Sequence, residues 1–124
     1  MRSRLAGNRR GTAMHISESD NGGVTVLGVS GRIDASTAEQ FKQKLLATIS
    51  DRPIRLVLDF VQVEFISSIG LRVLVVSAKR VAAVRGKMVF CGLTGPVREV
   101  FELAGFLSVV PFFPDRTAAV ASFA

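Results

Sequence analysis

Leu58-Asp59-Phe60-Val61-Gln62-Val63-Glu64-Phe65-Ile66-Ser67-Ser68-Ile69-Gly70-Leu71-Arg72-Val73-Leu74 is the stretch whose reading decides the fold. An apolar run ends in two serines. Beyond them Leu71, Val73, Leu74, Val75, Val76, Ala78, Val81 and Ala82 lack strict alternation but extend far enough for a buried helix. The order predicted is strand, loop, serine pair, helix. A hydroxyl at a helix start can accept from amides that have no intrahelical partner, so Ser67 or Ser68 is a candidate N-cap. The same free amides, with the positive end of the helix dipole, also suit a phosphate.

Working outward, the central helix is predicted over 68–84, with Gly86 as its stop and Met88 to Gly92 as the next buried strand. Pro96 opens a short helix through Leu103, with Val97, Val100, Phe101 and Leu103 on its buried face and Gly105 at its end. Val109 to Phe112 reads as an edge strand, and Asp115 as the cap of a terminal helix over 116–122. Upstream, Ile54 to Asp59 is a continuous apolar run expected of a strand covered on both faces. Ser36-Thr37-Ala38-Glu39 has capping-box spacing and starts a helix carrying Phe41, Leu45 and Ile49 inward. His15 to Ser19 and Val24 to Ser30 flank the turn signal Asp20-Asn21-Gly22-Gly23 and predict an antiparallel hairpin. The expected architecture is therefore one α/β domain over residues 14–124. It has a mixed, mostly parallel sheet of four to five strands with an antiparallel N-terminal hairpin, packed with about four helices.

The chain has 124 residues, the length of one ordinary domain, and 48% hydrophobic content with nine Phe and no Trp or Tyr. Its net charge of +6 overstates the basicity of the domain. Arg2, Arg4, Arg9 and Arg10 account for four of those charges, leaving +2 for residues 11–124. Residues 1–13 have no apolar period and read as a flexible basic arm. With the domain near neutral, direct nucleic-acid binding is not expected. Charges at Arg72, Lys79, Arg80 and Arg85 break the most hydrophobic segment, so no membrane span is expected. The single Cys91 and the lack of a secretion signal point to the cytoplasm.

Chemistry is sparse. Ser68 stands in no Gly-x-Ser-x-Gly elbow, and the one histidine, His15, lies far from it in sequence. A serine without a positioned base is a weak nucleophile, and one His with one Cys cannot supply a usual zinc set. Neither an enzyme nor any metal or cofactor is expected. Recognition is what remains: Arg72, Val76, Lys79 and Ala83 recur at intervals of four, three and four and share one helix face.

From about Met14 onward the chain resembles the STAS domain family, in particular the bacterial anti-sigma factor antagonists. Val29-Ser30-Gly31-Arg32-Ile33-Asp34 with Thr37-Ala38-Glu39, Leu56-Val57-Leu58-Asp59, and Phe65-Ile66-Ser67-Ser68-Ile69-Gly70-Leu71 are similar to successive family segments. Gly86 to Cys91 and Pro96 to Gly105 continue the match in order and spacing. The commonest family motif reads Asp-Ser-Ser/Thr-Gly-Leu; here Ser67 stands at the Asp position and Ser68 at the phosphoacceptor position. The resemblance implies Ser68 as the phosphorylated residue, with Ser67 as the alternative. It also implies Asp34, Ser67, Ser68, Ile69, Gly70, Arg72, Val76 and Lys79 as partner-binding residues. The implied partners are an anti-sigma factor serine kinase and a serine phosphatase, for a monomer or weak dimer without a cofactor. The alternative is an unphosphorylated STAS scaffold or accessory subunit of a lipid or anion transporter.

Overall fold

Asp20 sets the first turn: its Oδ1 accepts from the Gly23 amide at 2.8 Å, closing the hairpin between β1 (His15–Asn21) and β2 (Val24–Ile33). In the computed structural model, which describes residues 14–124, both strands run longer than their composition predicts. The expected basic arm, residues 1–13, lies outside the described residues. After β2 come α1 (Ala38–Ile49), β3 (Arg55–Ile66), α2 (Ser68–Ala83), β4 (Lys87–Cys91) and α3 (Gly95–Leu103), then β5 (Phe112–Phe113) and α4 (Arg116–Ala121). The spatial order is β1-β2-β3-β4-β5, with β1 antiparallel to β2 and the remaining pairs parallel.

Side chains alternate across a strand, and the alternation here feeds two cores. Leu27, Val29, Ile33, Leu56, Leu58, Phe60 and Phe90 are buried together with Phe41 and Leu45 of α1, Leu74 of α2 and Phe101 of α3. Phe60, Phe90 and Phe101 meet edge-to-face with centroids 5.2–6.0 Å apart, a geometry favoured by the ring quadrupole. Val24, Val26, Val57, Val89 and Cys91 form the second core, closed by Ala119 and Val120 of α4 and by Phe123. The Lys87 ammonium stands 5.7 Å from the Phe123 ring, placing that end of the chain beside the start of β4.

Several expectations are corrected. No loop separates Asp59 from the serines. Beyond Asp59, β3 loses β4 and continues paired to β2 alone as far as Ile66, with two register shifts that break its alternation. The capping box at Ser36 does not form: the α1 cap is Thr37, whose hydroxyl instead donates to Arg32 O at 2.8 Å. Leu103 is 86% exposed, not buried. Val109 belongs to no strand; its amide donates to Phe106 O at 3.0 Å in a helical turn, and β5 starts only after Pro111. At the end of α2 the left-handed residue is Arg85 (φ 61), while Gly86 is needed because a Cβ there would meet Ile54 O at 2.6 Å.

Candidate functional site

The end of β3 is tied to the end of β2: Ser67 donates its amide to Ile33 O at 2.8 Å. Ser67 is extended (φ −89, ψ 172), and its Oγ accepts from the Gly70 amide at 3.2 Å. It is therefore the N-cap of α2. Ser68, the first helical residue, is exposed, and its hydroxyl makes no hydrogen bond among the described residues. Of the two candidate caps that the sequence leaves open, the structure takes Ser67.

Gly70 is buried at the start of α2. A Cβ at this position would lie 2.7 Å from Ile33 Cγ2 and 2.8 Å from Ile66 Cγ1, so glycine lets the first turn of α2 settle on the strand ends. Ile69 (43%) and Val76 (42%) are exposed apolar side chains, with Arg72, Lys79 and Ala83 exposed on the same helix. Ile69, Arg72, Val73 and Val76 form one wall of a groove of about 200 Å³; Ala38, Glu39 and Lys42 of α1 form the other. Lys79 lines a separate apolar groove of about 220 Å³ with Val75, Phe106 and Val109.

Asp34 follows Ile33 directly, at the same end of the sheet as the serines. Its Oδ1 accepts from the Ser36 hydroxyl at 2.7 Å and the Ser36 amide at 3.0 Å, and its Oδ2 lies 3.6 Å from Arg32 Nε. The Ser36 hydroxyl, helped by the Ser36 amide and the Arg32 charge, holds the carboxyl below its ordinary range. Asp34 thus organises the turn into α1. Sequence reasoning missed the neighbouring Arg32 and Phe65, whose guanidinium and ring stack at 4.3 Å, as well as Glu39 and Lys42. The i, i+3 spacing of Glu39 and Lys42 on a helix was the one available signal.

A different constellation occupies the other sheet face. His15, Ser17, Ser30, Asp59 and Arg116 line a cavity of about 280 Å³. The Asp59 carboxylate accepts from Arg116 Nε at 3.0 Å and from the Val61 amide at 3.1 Å, and His15 hydrogen-bonds to neither serine nor Asp59 among the described residues. The trio is not wired as a proton relay. Among the described residues no group of three or more His, Cys, Asp or Glu could hold a metal ion. No described helix is long and apolar enough to cross a membrane.

The STAS domain family model matches residues 15–119, a span that takes in the two long central strands, the capped start of α2 and the serine pair. The chain belongs to the STAS domain family. This STAS domain is 41% identical over 101 residues to BtrV of Bordetella bronchiseptica, which bears the name of an anti-sigma factor antagonist. That alignment covers 82% of this chain and 87% of BtrV. It is 33% identical over 66 residues, 53% of this chain and 54% of the relative, to the anti-sigma-F factor antagonist RsfB of Mycobacterium tuberculosis. The crystal structure of an anti-sigma factor antagonist from Mycobacterium paratuberculosis superposes with a TM-score of 0.81 at 30% identity. The superposition covers 90% of this chain and 94% of that one. The departure of this STAS domain from the commonest motif also has a physical reading. Ser and Asp are both good N-caps, so Ser67 performs the capping that an Asp would perform there.

Proposed function

We propose that this STAS domain is an anti-sigma factor antagonist working as a phosphoswitch on Ser68. Unphosphorylated, it binds an anti-sigma factor serine kinase through the start of α2 and the α1–α2 groove, and the sigma factor is released. The Ser68 Oγ then takes a phosphoryl group from ATP held by the kinase, losing its proton and leaving ADP, and binding ends. A serine phosphatase reverses the change. The observation that carries this reading is the division between the serines: Ser67 is committed to the Gly70 amide, whereas Ser68 is exposed beside Ile69 and Arg72.

The physical logic is electrostatic. A phosphoserine carries about −1.5 to −2 charges near neutral pH, and an interface must either desolvate that charge or oppose it. Asp34 at the neighbouring turn, with Ile69, Arg72, Val76 and Lys79 along α2, supplies the contact surface in this reading. The names borne by BtrV, RsfB and the M. paratuberculosis protein support it. The protein then acts in the cytoplasm, where sigma factors work.

Intact-mass and peptide mass spectra of the chain isolated from its own cells test the cycle. Phosphate on Ser68 in part of the population is expected. Its consistent absence across growth conditions, or its presence on Ser67 instead, overturns the assignment and favours a scaffold without a phosphorylation cycle.

A further inference from the structure

Three charged side chains line the α1–α2 groove: Lys42 and Glu39 on α1 and Arg72 on α2. Among the described residues Arg72 has neither an ion pair nor a side-chain hydrogen bond. Nearby Arg32, by contrast, is engaged by Asp34 at 3.6 Å and by the Phe65 ring at 4.3 Å. Glu39 accepts from Gln43 Nε2 at 3.2 Å along its own helix. Arg72 also lies four residues after Ser68 on α2, the spacing at which helical side chains meet.

We propose that Arg72 is the intramolecular receiver of the Ser68 phosphate. The inference rests on Ser68 as the phosphoacceptor and adds how the modification is read. In the unmodified chain Arg72 lines the groove, which carries a formal net charge of +1 from Lys42, Arg72 and Glu39. That lining suits a partner segment pairing an apolar side chain with a carboxylate. Once Ser68 is phosphorylated, the guanidinium pairs with the phosphate one turn back, where its planar donors match two phosphate oxygens. The groove then loses its arginine as well as facing a new dianion. Phosphorylation thereby withdraws an attraction that the partner needs, in addition to placing a repulsion in its way.

The test uses the chain with phosphoserine encoded at position 68 during synthesis, followed by ³¹P NMR through the second phosphate ionisation near pH ~6. A cation beside the phosphate favours the dianion, so its pKa should be lower in the Arg72 chain than in Arg72→Gln, by about 0.3 unit or more. Lys79→Gln, which removes a cation two turns further along α2, should titrate like the parent. The Arg72 Nε–H resonance should move as the phosphate ionises. Identical titration of the parent and Arg72→Gln overturns the proposal, and so does an equal shift in Lys79→Gln, which would report only the general field. Both variants alter exposed side chains and leave the charges at Asp34, Glu39 and Lys42 in place. No kinase takes part, so a chain that never carries phosphate in its own cells sinks the proposed cycle without changing this titration.

Discussion

Gly70 and Ile33 fit so closely that a Cβ on residue 70 would stand 2.7 Å from Ile33 Cγ2. A methyl group cannot enter without moving a core isoleucine or lifting the start of α2. Gly70→Ala should therefore cost about 1 to 3 kcal/mol, read as a lower urea midpoint at unchanged m-value. It should also impair phosphorylation of Ser68, because the serine moves with the helix start. An alanine variant as stable as the parent would mean that α2 is free to shift.

The serines should separate in a pair of alanine variants. Ser67→Ala deprives the Gly70 amide of its acceptor and should lose about 0.5 to 2 kcal/mol, whereas Ser68→Ala should unfold at nearly the parental midpoint. Equal losses from the two variants would contradict the assignment of Ser67 as the cap.

Ser77 offers the opposite sign. Its hydroxyl is fully buried in α2 and finds no hydrogen-bond partner among the described residues. Ser77→Ala removes an unsatisfied polar group and adds helix propensity, for a gain of about 1 kcal/mol in denaturant titrations. A loss in its place would point to a hydrogen bond made in solution.

Cys91 predicts a pH dependence. Burial, then the negative charge of Asp59, pushes its thiol from 9.0 up to about 12. Well below pH 9, near pH ~8, the thiol is protonated in both folded and unfolded chains and contributes almost no slope. Between 9 and about 12 only the unfolded chain gives up the proton, so stability falls as pH rises through that window. At about pH 10 the parent should have lost on the order of 1 kcal/mol more than Cys91→Ala, each measured against its own value near pH ~8. Parallel curves for the two proteins would refute this.

For the interface, Ser68→Asp and Arg72→Glu each place negative charge on an exposed position of α2. A carboxylate is compatible with a helix start, so melting temperatures should stay close to the parent's. Affinity for the kinase-type anti-sigma factors of the source genome, titrated one by one, should drop by about 1 to 3 kcal/mol for the factor that binds the parent. Parental affinity in both variants would remove the helix start from the interface.

What the sequence disclosed depended on local signals. The Asp20-Asn21-Gly22-Gly23 turn, the Phe41, Leu45 and Ile49 stripe and the Asp115 cap, which accepts from the Ala118 amide at 2.8 Å, act within a few residues and were legible. The second half of β3 was not, since its register shifts bury Val63 and Ile66 while exposing Val61 and Phe65, and no period of two survives. Leu103 misled because hydrophobicity does not ensure burial at a helix end, and Val109 because an apolar residue before Pro111 closes a helical turn instead of opening the edge strand. At the site, the serine pair was visible but its division was not, because choosing the cap depends on which hydroxyl lies toward the Gly70 amide. The Asp59–Arg116 ion pair spans 57 positions and leaves no local trace.

The overrun of β3 past β4 gives the molecule two poles. Of its residues Arg55 to Ile66, only Arg55 to Asp59 have β4 alongside; the rest form a promontory with β2 whose tip is Ser67 and Ser68. Phe123 stands at the opposite pole, against Lys87, whose strand partner is Arg55. Anything joined to the chain beyond Phe123, whether a fused domain or a solid support, leaves the serine facing outward.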